Sequence, residues 1–205
     1  MKKLKEYIRS IPDFPEQGII FRDITSMLQD ADGLALAVNK LRDEVKELDY
    51  DIIVGPESRG FIFGVPLAYA EHKPFIPIRK KGKLPCETIS VEYDLEYGKG
   101  ILEIHKDAVS PGQRVVIVDD LIATGGTTQA MIKLIEQLGG VVVKLCFMIE
   151  LKDLKGRDKL KGYSVSSLVS YEDDWFIKIG FMVLYNANVC FKVYSNKNKH
   201  IINNW

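Results

Sequence analysis

Residues 115–128, VVIVDDLIATGGTT, set four consecutive aliphatic residues directly before two adjacent carboxylates, Asp119 and Asp120. An unbroken aliphatic run has no polar face, so a strand made from it must be covered on both sides. Similar short runs occur in DIIVG (51–55), PFIPIRK (74–80) and VVVKLCFMIE (141–150). Between them lie helical patterns. Residues 34–48 carry Leu34, Val38, Leu41, Val45 and Leu48 at three-and-four spacing, a second helix is expected at about 60–71, and TQAMIKLIEQLGG (128–140) forms a third. Strand, helix and strand in repetition predict an α/β fold, a mostly parallel twisted sheet flanked by helices on both faces. The strand-like segments of 84–106, around a YGKG turn, predict a projecting hairpin.

At 205 residues the chain suits one domain with an appendage. Residues 1–172 hold all the patterned segments. Residues 173–205 follow neither period and read as a loosely ordered extension. Its uncharged run Ile179–Phe191 falls short of the ~20 apolar residues that span a bilayer. The N-terminus lacks the apolar core of a signal peptide. It reads as an amphipathic helix carrying Leu4, Tyr7, Ile8 and Ile11, ended by Pro12. A cytoplasmic location without a membrane partner is expected.

The side-chain inventory excludes several functions. The chain carries 28 basic and 28 acidic residues, so no net field points to nucleic acid. Cys86, Cys146 and Cys190 are widely spaced and fit neither a disulfide framework nor a zinc site. His72, His105 and His200 lack metal-site spacing.

Ligands of open parallel sheets bind beyond the carboxyl ends of the strands, where Asp119 and Asp120 are expected. The following Ala123, Thr124, Gly125, Gly126 and Thr127 offer a backbone free to approach an anion, threonine hydroxyls, and the N-terminus of a helix. No lysine follows as in a Walker A loop, and GxGxxG is absent. A phosphate cradle preceded by two acids fits a ribose 5-phosphate, with the acids accepting from the ribose hydroxyls.

VVIVDDLIATGGTT resembles the phosphoribosyl pyrophosphate (PRPP) motif of the type I phosphoribosyltransferases. DFPEQGIIFRDIT (13–25), GPESRGFIFG (55–64), IRKKGKLP (78–85), YDLEYGKGILEIHKD (93–107) and ELKDLKGRDKL (150–160), in that order, are similar to the adenine phosphoribosyltransferases. The resemblance implies transfer of 5-phosphoribosyl from PRPP to N9 of adenine, giving AMP and pyrophosphate, in purine salvage. It implies Mg²⁺ held mainly by PRPP and touching Asp119 and Asp120 only through water, and a homodimer.

It also implies the roles of particular residues. The cradle 123–127 would hold the 5-phosphate. Glu57, Ser58 and Arg59 form the pyrophosphate loop, with a non-proline cis peptide, and Arg79, Lys80 and Lys83 add charge to it. Ile20, Phe21, Arg22 and Leu121 line the adenine pocket. The hairpin 84–106 is a hood that excludes water from an oxocarbenium-like ribose, with Tyr97 in its closing part and Glu96 as general base towards adenine. Arg59, Asp119 and Asp120 complete the catalytic set. A transferase for a 6-oxo purine fits the FRDIT and YDLEYGKG segments less well. A PRPP-sensing transcriptional regulator would need a DNA-binding element that the sequence does not show.

Overall fold

The structure, a computed structural model, describes residues 2–14, 17–95 and 98–172, the side chains of 94, 95 and 98 excepted. In chain order its strands are β1 (Arg9–Pro12), β2 (Ile20–Asp23), β3 (Ile52–Pro56), β4 (Phe75–Lys80), β5 (Thr88–Leu95), β6 (Gly98–His105), β7 (Arg114–Ile122), β8 (Val141–Leu151) and β9 (Val165–Tyr171). The α-helices are α1 (Thr25–Leu28), α2 (Ala31–Val45), α3 (Arg59–Ala70) and α4 (Gly126–Gln137), with 3-10 turns at Leu4–Tyr7, Lys152–Leu154 and Gly156–Leu160. The described residues fall into two compact units. One comprises residues 2–8 with 24–172, the other the described part of 9–23.

The larger unit holds a seven-stranded sheet in the order β5-β6-β4-β3-β7-β8-β9. β4, β3, β7, β8 and β9 run parallel, and β6 and β5 add antiparallel at the β4 edge. Strand alternation explains the unbroken aliphatic runs. Ile52, Val54, Val115, Ile117, Leu145 and Phe147 join Met131, Leu134 and Ile135 of α4 in one core. Their neighbours Ile53, Val116, Val118, Cys146 and Met148 are equally buried on the opposite face, where α2 and α3 pack. Both faces are covered, as the runs require. Among the described residues no helix is long and apolar enough to cross a membrane.

Two expectations change in detail. The N-terminal helix is only the 3-10 turn Leu4–Tyr7. Ile11 instead lies in β1, paired antiparallel with β2 from Arg9↔Asp23 to Pro12↔Ile20. Pairing with Ile20–Asp23 takes up the backbone groups that a helix would have used, and Pro12 sits at the strand end where its missing N–H is tolerated. Helix α2 starts at Ala31, capped by Asp30, whose carboxylate accepts from the N–H groups of Asp32 and Gly33. Its buried stripe is Gly33, Ala37, Leu41 and Val45, while Leu34, Val38 and Leu48 are half-buried. The stripe begins with glycine because Tyr7 lies against Gly33, where a β-carbon would come within 2.7 Å of the ring.

The hairpin exists as expected, paired from Thr88↔His105 to Leu95↔Gly98, and it joins the sheet through Arg79↔Glu103 and Lys80↔Leu102. Glu96, Tyr97, Cys190, His200 and the extension 173–205 lie outside the described residues.

Candidate active site

Because β3, β4, β7 and β8 are parallel, their carboxyl ends share one edge of the sheet. From β3 the chain passes through α3 to β4 on one side, and from β7 through α4 to β8 on the other. The β3–β7 boundary is therefore a topological switch point, where the two strand-to-helix loops diverge and leave a crevice. The loops in question are 57–59 and 123–125.

The first loop carries a cis peptide between Glu57 and Ser58. Ser58 occupies the N-cap position of α3 without a side-chain capping bond, and Arg59 is the first residue of the helix. Gly60 lets the loop fold down on the sheet, since a β-carbon there would stand 2.4 Å from Pro56 and 3.1 Å from the Val118 carbonyl. Val118 immediately precedes the acid pair, so this packing brings loop and acids together. Arg59 Nε lies 2.9 Å from Asp120 Oδ2.

Asp119 and Asp120 are 2% and 3% exposed. The Asp120 N–H donates to Asp119 Oδ1 at 2.8 Å. Burial, followed by the charge of Asp120, pushes the Asp119 carboxyl well above its usual range. Burial also raises Asp120, opposed first by Arg59. Two buried neighbouring carboxylates with a cation on one of them are poised to take hydroxyl hydrogen bonds or positive charge. Leu121, buried, and Ile122 finish β7.

The second loop turns at Gly125, whose φ of 79° is left-handed and whose residue caps α4. Ala123, Thr124, Gly126 and Thr127 are half-buried around it. The first N–H groups of a twelve-residue helix open beside this turn, as anion binding requires.

Of the basic cluster, the Arg79 side chain is held, while Lys80 and Lys83 enter through backbone groups. Arg79 donates through Nε to Glu57 Oε2 at 2.6 Å and through Nη1 to the Lys83 carbonyl at 3.1 Å. The Lys80 N–H donates to Glu57 Oε1 at 3.3 Å, and Gly82 N–H to the buried Glu103 at 2.9 Å. Arg79, Lys80, Lys83 and Glu57 thus form one cluster at the end of β4. Glu103, on β6, ties it to the hairpin. Sequence reading assigned no such part to Glu103.

Ile20, Phe21 and Arg22 belong to the smaller unit, half-buried on β2. Phe14 meets Phe21 edge-to-face at 5.4 Å, Arg22 donates to the Ser10 hydroxyl, and Arg9 pairs with Asp23 at 2.6 Å. Among the described residues no group of three or more histidine, cysteine or acidic side chains could cage a metal ion.

The phosphoribosyl transferase domain family matches residues 22–185. The adenine phosphoribosyltransferase of Lachnoclostridium phytofermentans is 64% identical over 171 residues, 83% of this chain and 98% of that protein. That of Agathobacter rectalis is 62% identical over 84% of this chain and 99% of its own. The crystal structure of the adenine phosphoribosyltransferase from Thermoanaerobacter pseudethanolicus superposes with a TM-score of 0.79 at 54% identity, over 82% of this chain and 98% of that one. The Saccharomyces cerevisiae enzyme, complexed with an imino-altritol bisphosphate and adenine, gives 0.76 at 40% identity, over 81% and 96%. Fold, order of motifs and relatives agree: this chain belongs to the adenine phosphoribosyltransferases, transferases of the type I phosphoribosyltransferase fold.

Proposed function

We propose that the protein transfers the 5-phosphoribosyl group of PRPP to N9 of adenine, releasing AMP and pyrophosphate, in purine salvage. The observation that carries this reading is the buried acid pair Asp119–Asp120 between the cis-peptide loop and the Gly125 turn, at the switch point of the sheet. In this reading the amides and hydroxyls of Ala123–Thr127 hold the 5-phosphate, and Asp119 and Asp120 accept from the ribose hydroxyls. The same carboxylates favour positive charge as the C1–pyrophosphate bond breaks. Glu57, Ser58 and Arg59 meet the leaving pyrophosphate, with Arg79, Lys80 and Lys83 adding charge. Arg79 and Arg59, bound to Glu57 and Asp120, would exchange carboxylate for diphosphate oxygen when substrate enters.

In the same reading Ile20, Phe21, Arg22 and Leu121 are the residues assigned to adenine, Glu96 takes the purine proton, and Tyr97 belongs to the hood. Mg²⁺ suits this donor set as a cation carried by the diphosphate and its waters, near Asp119 and Asp120, where it would neutralise charge on the leaving group.

The same reading includes a homodimer. Helix α3 leaves Val65 (47% exposed) and Tyr69 (89%) uncovered one turn apart, on a helix whose other face is buried. A second copy is the occupant we assign to that face.

The test is the dependence of PRPP consumption on the purine, with nucleotide product followed directly in the presence of Mg²⁺. AMP from adenine alone is expected. Turnover of guanine, hypoxanthine or xanthine would overturn the pocket, and turnover of no base would overturn the reaction.

A further inference from the structure

The segment ELKDLKGRDKL (150–160) has no part in the chemistry above, yet its placement is specific. β8 brings Glu150, 6% exposed, to the carboxyl edge. The chain then turns at Lys155, whose φ of 51° is left-handed, and lays Gly156 against the 123–125 loop. The contact is backbone on backbone. A β-carbon on Gly156 would lie 2.3 Å from the Ala123 carbonyl oxygen, and one on Gly125 would lie 2.6 Å from that of Gly156. No side chain fits at either position.

Three attachments hold Gly156 there. Arg157 forks onto Glu150, Nε to Oε1 at 2.6 Å and Nη2 to Oε2 at 2.7 Å. It also reaches β9, donating to the Val165 carbonyl at 3.0 Å and the Ser167 hydroxyl at 3.2 Å. Gln129 of α4 donates to the Lys159 carbonyl at 3.0 Å. The fork needs a planar guanidinium; a lysine in its place keeps the charge and loses the geometry.

We infer that Gly156, pinned by the Glu150–Arg157 pair, is a buttress that positions the Ala123–Thr127 loop for the 5-phosphate without touching the substrate. An amide cradle works only while its N–H groups converge, and displacement by about 1 Å is enough to lose about 100-fold in function. This inference rests on the phosphate reading of that loop.

The experiment uses the full chain, with AMP as the probe. Calorimetry gives its affinity, amide NMR follows Gly125 and Gly126 during the titration, and kinetics give KM for PRPP and for adenine. In Arg157→Lys and Gly156→Ala the AMP Kd and the PRPP KM should rise about tenfold or more. KM for adenine should stay within twofold and kcat within about threefold, a split that general loss of structure does not produce. Gln129→Met, which removes one exposed attachment, should show the same split in smaller measure and carries the test if the other two fail to fold. Unchanged AMP affinity in a folded variant, or equal losses for PRPP and adenine, would overturn the buttress. If AMP binds the unmodified protein without moving the Gly125 and Gly126 amides, the phosphate reading itself falls, and this inference with it.

Discussion

Asp119→Asn should make the protein more stable while disabling it. The two carboxylates are 2% and 3% exposed, and Arg59 stands 2.9 Å from Asp120. Among the influences on Asp119, that of Arg59 is the weakest, behind burial and the neighbouring Asp120. Ionised Asp119 therefore carries a buried like-charge penalty that the Asp120 N–H and Arg59 offset only in part. Asparagine has the same shape, and its Oδ1 can still accept the Asp120 N–H now held at 2.8 Å. Removing the penalty should yield about 1–2 kcal/mol, within the range of single stabilising substitutions. At 2–4 °C per kcal/mol for a chain of this size, the melting temperature should rise by about 2–8 °C.

The sign with pH follows from the raised folded-state pKa. The stability that protonated Asp119 contributes is full below the unfolded value of 3.8 and is lost as pH rises through the higher folded value. The advantage of the variant should therefore grow as pH rises above 3.8 and level off beyond the folded value. Calorimetric melting of both proteins at unit pH intervals measures it, alongside AMP formation, which should fall about 100-fold or more. A lower melting temperature for the variant at pH 8, or a gain that does not vary with pH, would refute the reasoning. It would mean that dipoles around Asp119 solvate its charge.

Other perturbations test separate parts. Gly125→Ala forces an L-residue to φ 79° and sets its β-carbon 2.6 Å from the Gly156 carbonyl; it should cost at least about 1–2 kcal/mol in denaturant melts and weaken AMP binding in calorimetry. Glu150→Gln should act at the acid end. The Arg157 hydrogen bonds hold the Glu150 carboxyl below its usual 4.5, so the stability it contributes is present above that value and lost as pH falls through the folded one. The variant should melt lower near neutrality, and its deficit should shrink below about pH 4.5, as circular dichroism would register. Val65→Glu with Tyr69→Asp should shift the proposed dimer to monomer in light scattering; an unchanged mass would overturn the assignment of a second copy to α3. Glu57→Gln should loosen Arg79 and change KM for pyrophosphate in the reverse reaction more than KM for AMP.

Much of this was legible in one dimension because it depends on local chemistry. VVIV and IIV are strands covered on both faces whatever surrounds them, since an unbroken β-branched run offers no side to water. The Gly125 turn and the helix after it follow from glycines between a strand and a 3.6-residue period. The N-terminus departs from its local pattern for the complementary reason. Leu4, Tyr7, Ile8 and Ile11 fit a helix as well as a turn and a strand, and the partner that decided between them, Ile20–Asp23, lies beyond any local window.

The sequence alone thus determined the fold class, the strand-to-helix order, and the acid pair beside a glycine- and threonine-rich loop, all of which are set by periodicity and neighbouring residues. The tertiary structure alone decided that Arg59 would stand on Asp120, that Arg79 would be held by Glu57, and that Gly156 would lie under Ala123. These contacts join residues far apart in the chain through the parallel order of β3, β4, β7 and β8. Distances across a sheet depend on which strands are neighbours, and that choice is made by the packing of the whole core rather than by any one segment.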